Sequence, residues 1–292
     1  MPHVPVLFEE VLRLANPQPG DTFVDCTFGA GGHAGALLDR IAPNGILLGI
    51  DANPRAITAA QKNFASYGNR LVLRKGNFKN LKAIAYDVAI SQCAGILMDL
   101  GVSSEELVDQ EIGLSFQVEG PLDMRLSREG PTAAEIVNGW PAAELTRIIR
   151  QYGEERYAAQ IVRAILKARR ARRIATTLEL AELVTRSVPR GYEHGRIHPA
   201  TRTFQALRIA VNDELGSLEA ALPQAVELLR PSGRLIVIAF HSLEDRTVKR
   251  FFRQESGQTI RILTKKPVQA GEEEVRQNPR ARSAKLRAVE RL

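Results

Sequence analysis

Cysteine is scarce in this chain, with 2 residues among 292, and tryptophan occurs once. Two cysteines cannot build a disulfide framework, and the absence of a Cys-x-x-Cys pair argues against a zinc site. No apolar run approaches the roughly 18 residues that a bilayer-spanning helix needs. The N-terminus also lacks the basic and then apolar regions of a secretory signal. These absences predict a cytoplasmic protein with no membrane partner.

Acidic residues are outnumbered, since Lys and Arg total 40 against 33 Asp and Glu, which gives a net charge of +7. Such an excess attracts polyanions and favours a nucleic-acid partner. Basic residues concentrate at 167–173 and 276–291, where aromatic residues are absent. Phosphate contact is therefore a better interpretation of these clusters than base stacking, although 167–173 is also typical of a solvated helix end.

A glycine-rich segment, residues 25–33, lies between two strand-like runs. The run before it is 22–24, and the run 45–50 follows a helical pattern and ends on Asp51. Strand, glycine-rich turn, helix, strand and acid form the layout of a nucleotide-binding βαβ unit. An acid at this position can accept hydrogen bonds from both hydroxyls of a ribose.

The spacing of the glycines indicates which nucleotide is bound. Gly29-x-Gly31-Gly32-His33 is not the G-x-G-x-x-G of a pyrophosphate binder. A carboxylate at Asp25, ahead of the glycines, suits an adenosyl ligand that carries an ammonium group. The segment therefore favours S-adenosylmethionine as cofactor, with NAD as the alternative. A metal at His33 is not expected, because no second histidine stands at ligand spacing.

The rest of the chain alternates between sheet and helix in blocks. Further strand-like runs at 70–73 and 94–99 predict a parallel sheet covered by helices. From 108 to 204 only helical periodicity is found, with Thr176 and Glu179 forming a capping box. A long helix over 201–229 then leads into a further set of sheet elements. These are a buried strand at 234–240, closing strands at 261–264 and 284–289, and a mobile loop at 269–278.

Several blocks are more specific than composition explains. In chain order they are 3–7 (HVPVL), 98–104 (MDLGVSS), 120–125 (GPLDMR), 152–156 (YGEER), 198–206 (HPATRTFQA), 240–246 (FHSLEDR) and 278–283 (NPRARS). Together with the glycine-rich segment, the chain closely resembles the ribosomal RNA small subunit methyltransferase H family, over essentially its whole length. This resemblance implies an α/β fold, a Rossmann-like S-adenosylmethionine-dependent methyltransferase sheet with an inserted all-helical domain. We expect the methyltransferase domain at 1–107 and 205–292 and the helical insertion at 108–204.

The activity that the resemblance implies is methylation of the exocyclic N4 of a cytidine in the decoding region of 16S rRNA. The expected partner is 16S rRNA, either free or within the 30S subunit. The alternative is a non-catalytic RNA-binding or ribosome-assembly factor that retains the methyltransferase fold. We expect the helical insertion to form one wall of the RNA cleft.

The resemblance also implies the residues that hold the cofactor. They are Gly31, Gly32, His33, Asp51, Phe78 and Asp99. One departure affects this set, because the family usually has Ser-Ser-Pro-Gln where this chain has Ser103-Ser104-Glu105-Glu106. An ionised glutamate only accepts hydrogen bonds, whereas glutamine also donates. Whether Glu106 contacts the cofactor is therefore left open.

Two polar residues follow predicted strands and are the catalytic candidates. Asp99 ends the fourth strand and either orients the amine or contacts the cofactor. His241 follows the fifth strand as a base, a substrate contact or a helix cap. Methylation at carbon 5 needs a thiolate nucleophile, and neither Cys26 nor Cys93 is placed for that chemistry, so N4 is preferred.

Three arginines in the resembling blocks are candidates for RNA contact. Arg125 is expected to pair internally with Asp123 rather than to reach phosphate. Arg202 and Arg208 lie beside an apolar helical stripe that reads as core, and we expect them to be free to face RNA.

Overall fold

The computed structural model describes residues 5–189, 191–192 and 197–292. The first two residues of the block 3–7 lie outside these ranges. The chain divides into two compact units, a sheet unit of Met1–Gly101 with Leu215–Leu292 and a helical unit of Val102–Glu214. Within the described residues, no helix combines the length and the apolar character needed to cross a membrane.

The strands of the described residues form one seven-stranded sheet. They are β1 Thr22–Asp25, β2 Ile46–Asp51, β3 Leu71–Lys75, β4 Cys93–Asp99, β5 Leu229–Ala239, β6 Ile260–Ile262 and β7 Lys285–Arg291. Their order across the sheet is β3-β2-β1-β4-β5-β7-β6. The first five strands run parallel, and β7 is antiparallel to both β5 and β6. The chain moves outward from β1 to β3 and then returns to place β4 on the other side of β1. The boundary between β1 and β4 is therefore the topological switch point, where ligands of such sheets bind.

Helices connect these strands and also build the second unit. In chain order they are α1 Phe8–Ala15, α2 Gly32–Arg40, α3 Pro54–Asn63, α4 Leu81–Tyr86, α5 Ser104–Val108, α6 Ala133–Gly139, α7 Ala142–Gln151, α8 Ala158–Ala171, α9 Thr177–Ser187, α10 Thr201–Asn212, α11 Glu214–Leu228, α12 Ser242–Glu255 and α13 Glu272–Gln277.

Both faces of the sheet are buried, as its apolar strands require. Val24, Leu48 and Met98 point to one face, which α4, α11 and α12 cover. Phe23 and Leu97 belong to the opposite core, which α1 and α2 cover. Because successive strand residues point to opposite faces, runs that are apolar at every position fit only a sheet with helices on both sides.

The helical unit has its own core, built from one apolar stripe of each of its longer helices. Ile136, Ile148, Ile161, Leu180 and Leu207, from α6 to α10, are all buried in it. The capping box predicted at the start of α9 is confirmed, with the Thr176 side chain accepting from the backbone of Glu179 and the reverse bond also present. In its described residues this unit contains a single isolated β-bridge and no strand.

The unit boundaries differ from the sequence-based ones because α10 belongs to the helical core. Phe204, Leu207 and Val211 pack in that core, so the unit extends to Glu214 rather than residue 204. The single helix predicted over 201–229 is wrong, since Asp213 adopts φ 48° and separates α10 from α11. The loop predicted at 269–278 contains α13, and Glu274 Oε1 accepts a hydrogen bond from the Leu7 amide at 2.7 Å.

Candidate active site

Three carboxylates end neighbouring strands at the carboxyl edge of the sheet. Asp51 ends β2, Asp25 ends β1 and Asp99 ends β4. Because β1 pairs in parallel with both β2 and β4, the three acids share one edge, with Asp25 and Asp99 on the two sides of the switch point. Asp51 and Asp99 are predicted site residues, and Asp25 is the predicted acid ahead of the glycines. This edge is therefore the candidate active site.

Asp51 is held by backbone amides on both of its oxygens. The Gly29 N–H donates to Oδ2 at 2.7 Å, and the Asn53 N–H donates to Oδ1 at 2.7 Å. Asn53 in turn caps α3 by accepting from the Arg55 amide. The side chain of Asp51 is half-buried. The two amides therefore orient its carboxylate in advance.

The loop before α2 has a conformation that requires glycine. Gly29 has φ 52° and Gly31 has φ 78°, in the left-handed region that residues with a Cβ rarely adopt. A Cβ at Gly31 would overlap the ring of Phe64. A Cβ at Gly32 would lie 2.7 Å from Cγ of Pro5. The two predicted glycines thus allow neighbouring side chains to press directly on the loop backbone.

His33 lies in the first turn of α2 and is 5% exposed. Its Nε2 lies 3.1 Å from the Val6 carbonyl, and its Nδ1 lies 3.6 Å from Oδ2 of Asp99. Two predicted site residues, far apart in sequence, are therefore adjacent in the structure.

Asp99 keeps one oxygen uncommitted. Its Oδ1 is buried and has no hydrogen-bond partner among the residues that the structure describes. Burial, together with the charges of Asp25 and Glu244, raises the pKa of Asp99 to about 8. An unsatisfied buried acceptor favours any ligand that brings a donor to it.

Asp25 is the most buried of the three acids, at 2% exposed. Burial, reinforced by the charge of Asp51, raises its pKa to about 7, although the amide of Thr27 donates to its Oδ1. The Thr27 hydroxyl also accepts from the Asp99 amide at 2.7 Å and lies 3.5 Å from Oδ1 of Asp25. Thr27 thereby connects the two acids across the switch point, a role that sequence reasoning did not assign. The position of Thr27 between the end of β1 and the first glycine of the loop is the sequence signal that could have indicated this role.

His241 is the N-cap of α12. Its Nδ1 accepts from the Glu244 amide, and Glu244 Oε2 accepts from the backbone amides of Phe240 and His241. The Nε2 atom lies 3.2 Å from Oε1 of Glu244 but makes no hydrogen bond to a described residue. Of the three roles left open for His241, helix capping is the one that the structure displays.

Phe78, the remaining predicted contact, begins a 3-10 helix directly after β3 and is half-buried against the sheet core. Asn77, just before it, donates from Nδ2 to the Ser217 hydroxyl at 3.1 Å, which ties the loop to α11. Phe78 therefore comes after the carboxyl end of β3, which is the neighbour of the strand that Asp51 ends.

Glu106 has a local structural role. With Ser103 it forms the capping box of α5, in which Glu106 Oε2 accepts from the Ser103 amide at 2.8 Å. A glutamate serves this cap as well as a glutamine would, because the cap needs only an acceptor.

The arginine predictions have mixed outcomes. The internal pair of Arg125 with Asp123 is confirmed, with nitrogen–oxygen distances of 2.7 and 2.9 Å. The prediction that Arg208 is free is wrong, because it makes two hydrogen bonds to the carboxylate of Glu214. Arg202 is also engaged, since it donates to the Glu154 carbonyl at 2.7 Å.

The basic run 167–173 is partly structural. Arg169 donates to the Val137 and Trp140 carbonyls, both at 2.9 Å, and Arg172 pairs with Glu179 at 2.6 Å. Lys167 and Arg170 are exposed. The interpretation of this run as a solvated helix end therefore fits only some of its members.

Both cysteines are buried free thiols, as predicted. Burial raises the pKa of Cys93 to about 12 and that of Cys26 well above its usual value. Neither supplies a thiolate at neutral pH.

Comparison with known proteins fits this geometry. The MraW methylase family matches residues 1–292. The chain belongs to that family. Members named ribosomal RNA small subunit methyltransferase H include one from Syntrophotalea carbinolica, 49% identical over 99% of this chain and 98% of its own length. Another, from Geobacter sulfurreducens, is 48% identical over 99% of each chain. The resemblance found in the sequence motifs is thereby confirmed.

Solved structures show the same fold. A Streptococcus mutans protein, provisionally described as a methyltransferase and solved in complex with SAH, superposes with a TM-score of 0.50 at 9% identity. The superposition covers 99% of this chain and 100% of that chain. The predicted Rossmann-like methyltransferase sheet is confirmed for this member of the MraW methylase family.

Proposed function

We propose that this chain uses S-adenosylmethionine to methylate the exocyclic N4 of a cytidine in the decoding region of 16S rRNA. Membership of the MraW methylase family supports methyl transfer, and the names of the relatives point to ribosomal RNA of the small subunit. The observation that carries the N4 assignment is the uncommitted oxygen of Asp99 at the switch point.

The residues at the carboxyl edge fit the proposed cofactor. Asp51, fixed by the Gly29 and Asn53 amides, would accept hydrogen bonds from the ribose hydroxyls. Gly31 and Gly32 would hold the loop in the shape that lies against the cofactor, Gly31 through its φ of 78°. The carboxylates of Asp25 and Asp99 suit a ligand that carries an ammonium and a sulfonium. Phe78, following the next strand, is proposed to pack against the adenine, and His33 to support the pocket beneath Asp99.

The bound cofactor supplies an electrophilic methyl group on a positively charged sulfur. Its positive charge favours the ionised form of Asp99, whose pKa is otherwise raised to about 8. An ionised Asp99 can accept a hydrogen bond from the amine and hold its lone pair in line with the methyl group. The N–C bond would form as the bond between the methyl carbon and the sulfonium sulfur breaks, with its electron pair left on the sulfur of S-adenosylhomocysteine, and Asp99 would take the proton that the amine loses. His241, which follows the adjacent strand, is proposed to contact the base.

The chemistry of the cysteines supports nitrogen over carbon as the acceptor. Addition to carbon 6, which activates carbon 5, requires a thiolate. Cys26 and Cys93 are both buried thiols with a raised pKa. An amine needs only positioning and a proton acceptor, and the carboxyl edge offers both.

The target cytidine must be unpaired when its N4 amine is methylated. A paired cytidine uses its N4 amine in hydrogen bonding, so the target is accessible in an unpaired or extruded state. We propose that the sheet unit carries the catalytic residues and that the helical unit contributes to RNA binding.

The test is transfer of labelled methyl groups to 16S rRNA and to 30S subunits, followed by mass mapping of the modified base. Substrate labelled with tritium at cytidine C5 separates the two acceptor atoms, because methylation at carbon 5 releases the tritium and methylation at N4 retains it. Asp99→Asn should lose most of the transfer rate while the double variant of Cys26→Ala and Cys93→Ala keeps it. Tritium release, or transfer that depends on the cysteines, would exclude N4.

The assembly-factor alternative is separated by a binding measurement. Calorimetry with S-adenosylhomocysteine should show binding at micromolar ligand, and no heat at high micromolar ligand would favour a non-catalytic role.

A further inference from the structure

Helix α12 has one apolar face and one strongly basic face. Val248 and Phe252 are buried in the sheet core. The opposite side carries Arg246, Lys249, Arg250 and Arg253, all exposed, and we call these four residues the basic face of α12. Their spacing of three, four and seven residues places them in one stripe along the helix.

Lys249, Arg250 and Arg253 make no ion pair among the residues that the structure describes. The acid nearest to the stripe along the helix, Asp245, pairs with Arg287 at 2.6 Å and with Lys285 at 3.8 Å. Lys249, Arg250 and Arg253 therefore present three positive charges to solvent.

The position of the helix connects this stripe to the catalytic edge. Helix α12 follows β5 directly, and its N-cap is His241, at the carboxyl end of that strand. Arg246 lies little more than one turn beyond His241, and the stripe continues along the helix for about 10 Å at 1.5 Å per residue. A polyanion lying along the stripe would pass beside the carboxyl edge.

We propose that the basic face of α12 binds the phosphate backbone of the RNA next to the target nucleotide. This inference rests on the proposed function, because it takes RNA as the substrate. The stripe contains no aromatic residue, so it lacks the platforms that stack bases. Contact with phosphates is independent of sequence and fixes the register of the strand, while the pocket at the carboxyl edge selects the base.

A matched pair of triple variants tests the assignment. The first combines K249Q, R250Q and R253Q on α12. The second combines R13Q, R40Q and K62Q, which remove three exposed positive charges from α1, α2 and α3 of the sheet unit. Both change the net charge equally, and neither touches a residue proposed to hold the cofactor.

The measurement is the dissociation constant for 30S subunits and for a decoding-region RNA fragment, at several KCl concentrations. We expect the α12 variant to bind at least about tenfold more weakly at low salt, and its salt dependence to fall by about 0.7 to 0.9 per lost phosphate contact. The second variant should lose clearly less. Binding of S-adenosylhomocysteine and the unfolding midpoint should match the unmodified chain in both.

Two results would overturn the inference. Equal losses in both variants would mean that net charge alone controls binding, and an unchanged constant and salt slope in the α12 variant would remove the contact. Binding of anionic lipid vesicles that depends on α12, with RNA binding unaffected, would assign the stripe to a membrane instead. Failure of the proposed function is a separate result, in which the unmodified chain binds RNA but transfers no methyl group to it.

Discussion

The imidazole of His33 joins the N-terminal segment to Asp99, with Nε2 lying 3.1 Å from the Val6 carbonyl and Nδ1 3.6 Å from Oδ2 of Asp99. A carbonyl only accepts, so Nε2 donates to Val6, and this bond directs the Nδ1 edge of the ring toward the carboxyl group of Asp99. The raised pKa of Asp99 has burial as its main cause, and His33 forms part of the surroundings that bury it.

Cofactor affinity should increase with pH. The pKa values of Asp25 and Asp99 are raised to about 7 and about 8, so both acids ionise between pH 6 and 9, and their ionised forms attract a cationic ligand. Affinity for S-adenosylmethionine should rise by up to about tenfold per pH unit for each required ionisation. Calorimetry in buffers of different ionisation enthalpy should detect proton release on binding. Asp99→Asn should remove the part of the increase in affinity that occurs at the higher pH values. An affinity that does not depend on pH would contradict this account.

Stability without ligand should show the opposite trend. An acid whose pKa is raised in the folded state binds its proton more tightly there than when unfolded. It therefore stabilises the fold at low pH, and this contribution is lost as the pH rises toward the folded pKa, here about 8 for Asp99. The loss begins near the unfolded pKa of 3.8, so the stability advantage of Asp99→Asn over the unmodified chain should be larger near pH 9 than near pH 5. Urea unfolding at both pH values measures this, and an equal difference at the two would count against a raised pKa.

Gly31→Ala should destabilise the sheet unit more than Gly29→Ala. Both glycines have positive φ, which costs a residue with a Cβ about 1–2 kcal/mol. Only at Gly31 would the added Cβ overlap an aromatic ring, that of Phe64, which adds about 1–3 kcal/mol. At Gly29 the nearest atom is the Thr27 carbonyl oxygen at 3.8 Å. Thermal or urea unfolding of both variants provides the comparison, and similar losses would show that Phe64 moves aside freely.

Asp51→Ala should weaken the binding of S-adenosylhomocysteine roughly 10- to 150-fold, the equivalent of about 1.5–3 kcal/mol for lost charge-assisted hydrogen bonds. Asp39→Ala is the matched control, because it removes the same charge from an exposed residue that accepts a hydrogen bond from the Tyr67 hydroxyl. Calorimetry should find the control close to the unmodified chain. An unaffected Asp51→Ala would remove the ribose assignment.

Tyr192→Phe should destabilise the helical unit by about 1–3 kcal/mol. The Tyr192 hydroxyl donates to Oε2 of Glu155 at 2.7 Å, and Glu155 is fully buried. Its other oxygen accepts from the Tyr157 amide. Removing the hydroxyl leaves a buried carboxylate oxygen without that donor, while the aromatic packing is retained. Hydrogen exchange of α8 and α9 amides should accelerate, and unchanged exchange would mean that Glu155 finds another donor.

Local patterns predicted much of the fold. Alternating strand and helix runs, with acids at Asp51 and Asp99 ending two strands, were sufficient to place the carboxyl edge of the sheet. The capping box of Thr176 and Glu179 was also readable, because both of its hydrogen bonds lie within four residues. Signals of this kind depend on short-range backbone geometry, which a sequence displays directly.

Long-range contacts were the part that the sequence concealed. The break at Asp213 carries no glycine or proline, so periodicity runs through it unchanged. The contact of His33 with Val6 follows from tertiary packing. The pairing of Arg208 with Glu214 spans only six residues, but it depends on the helix break at Asp213 that the sequence did not reveal. Helix α13 was missed because five of its six residues are polar and none is buried.

The neighbours β4 and β5 lie on opposite sides of the helical unit in the chain. During synthesis, β1 to β4 leave the ribosome long before the strands that complete their sheet. Until then β4 is an open edge, rich in apolar residues and prone to pairing with other chains. Such distant pairing also slows folding. A helical unit that folds early would shorten the effective loop between the two strands and so reduce the time for which the edge of β4 stays open.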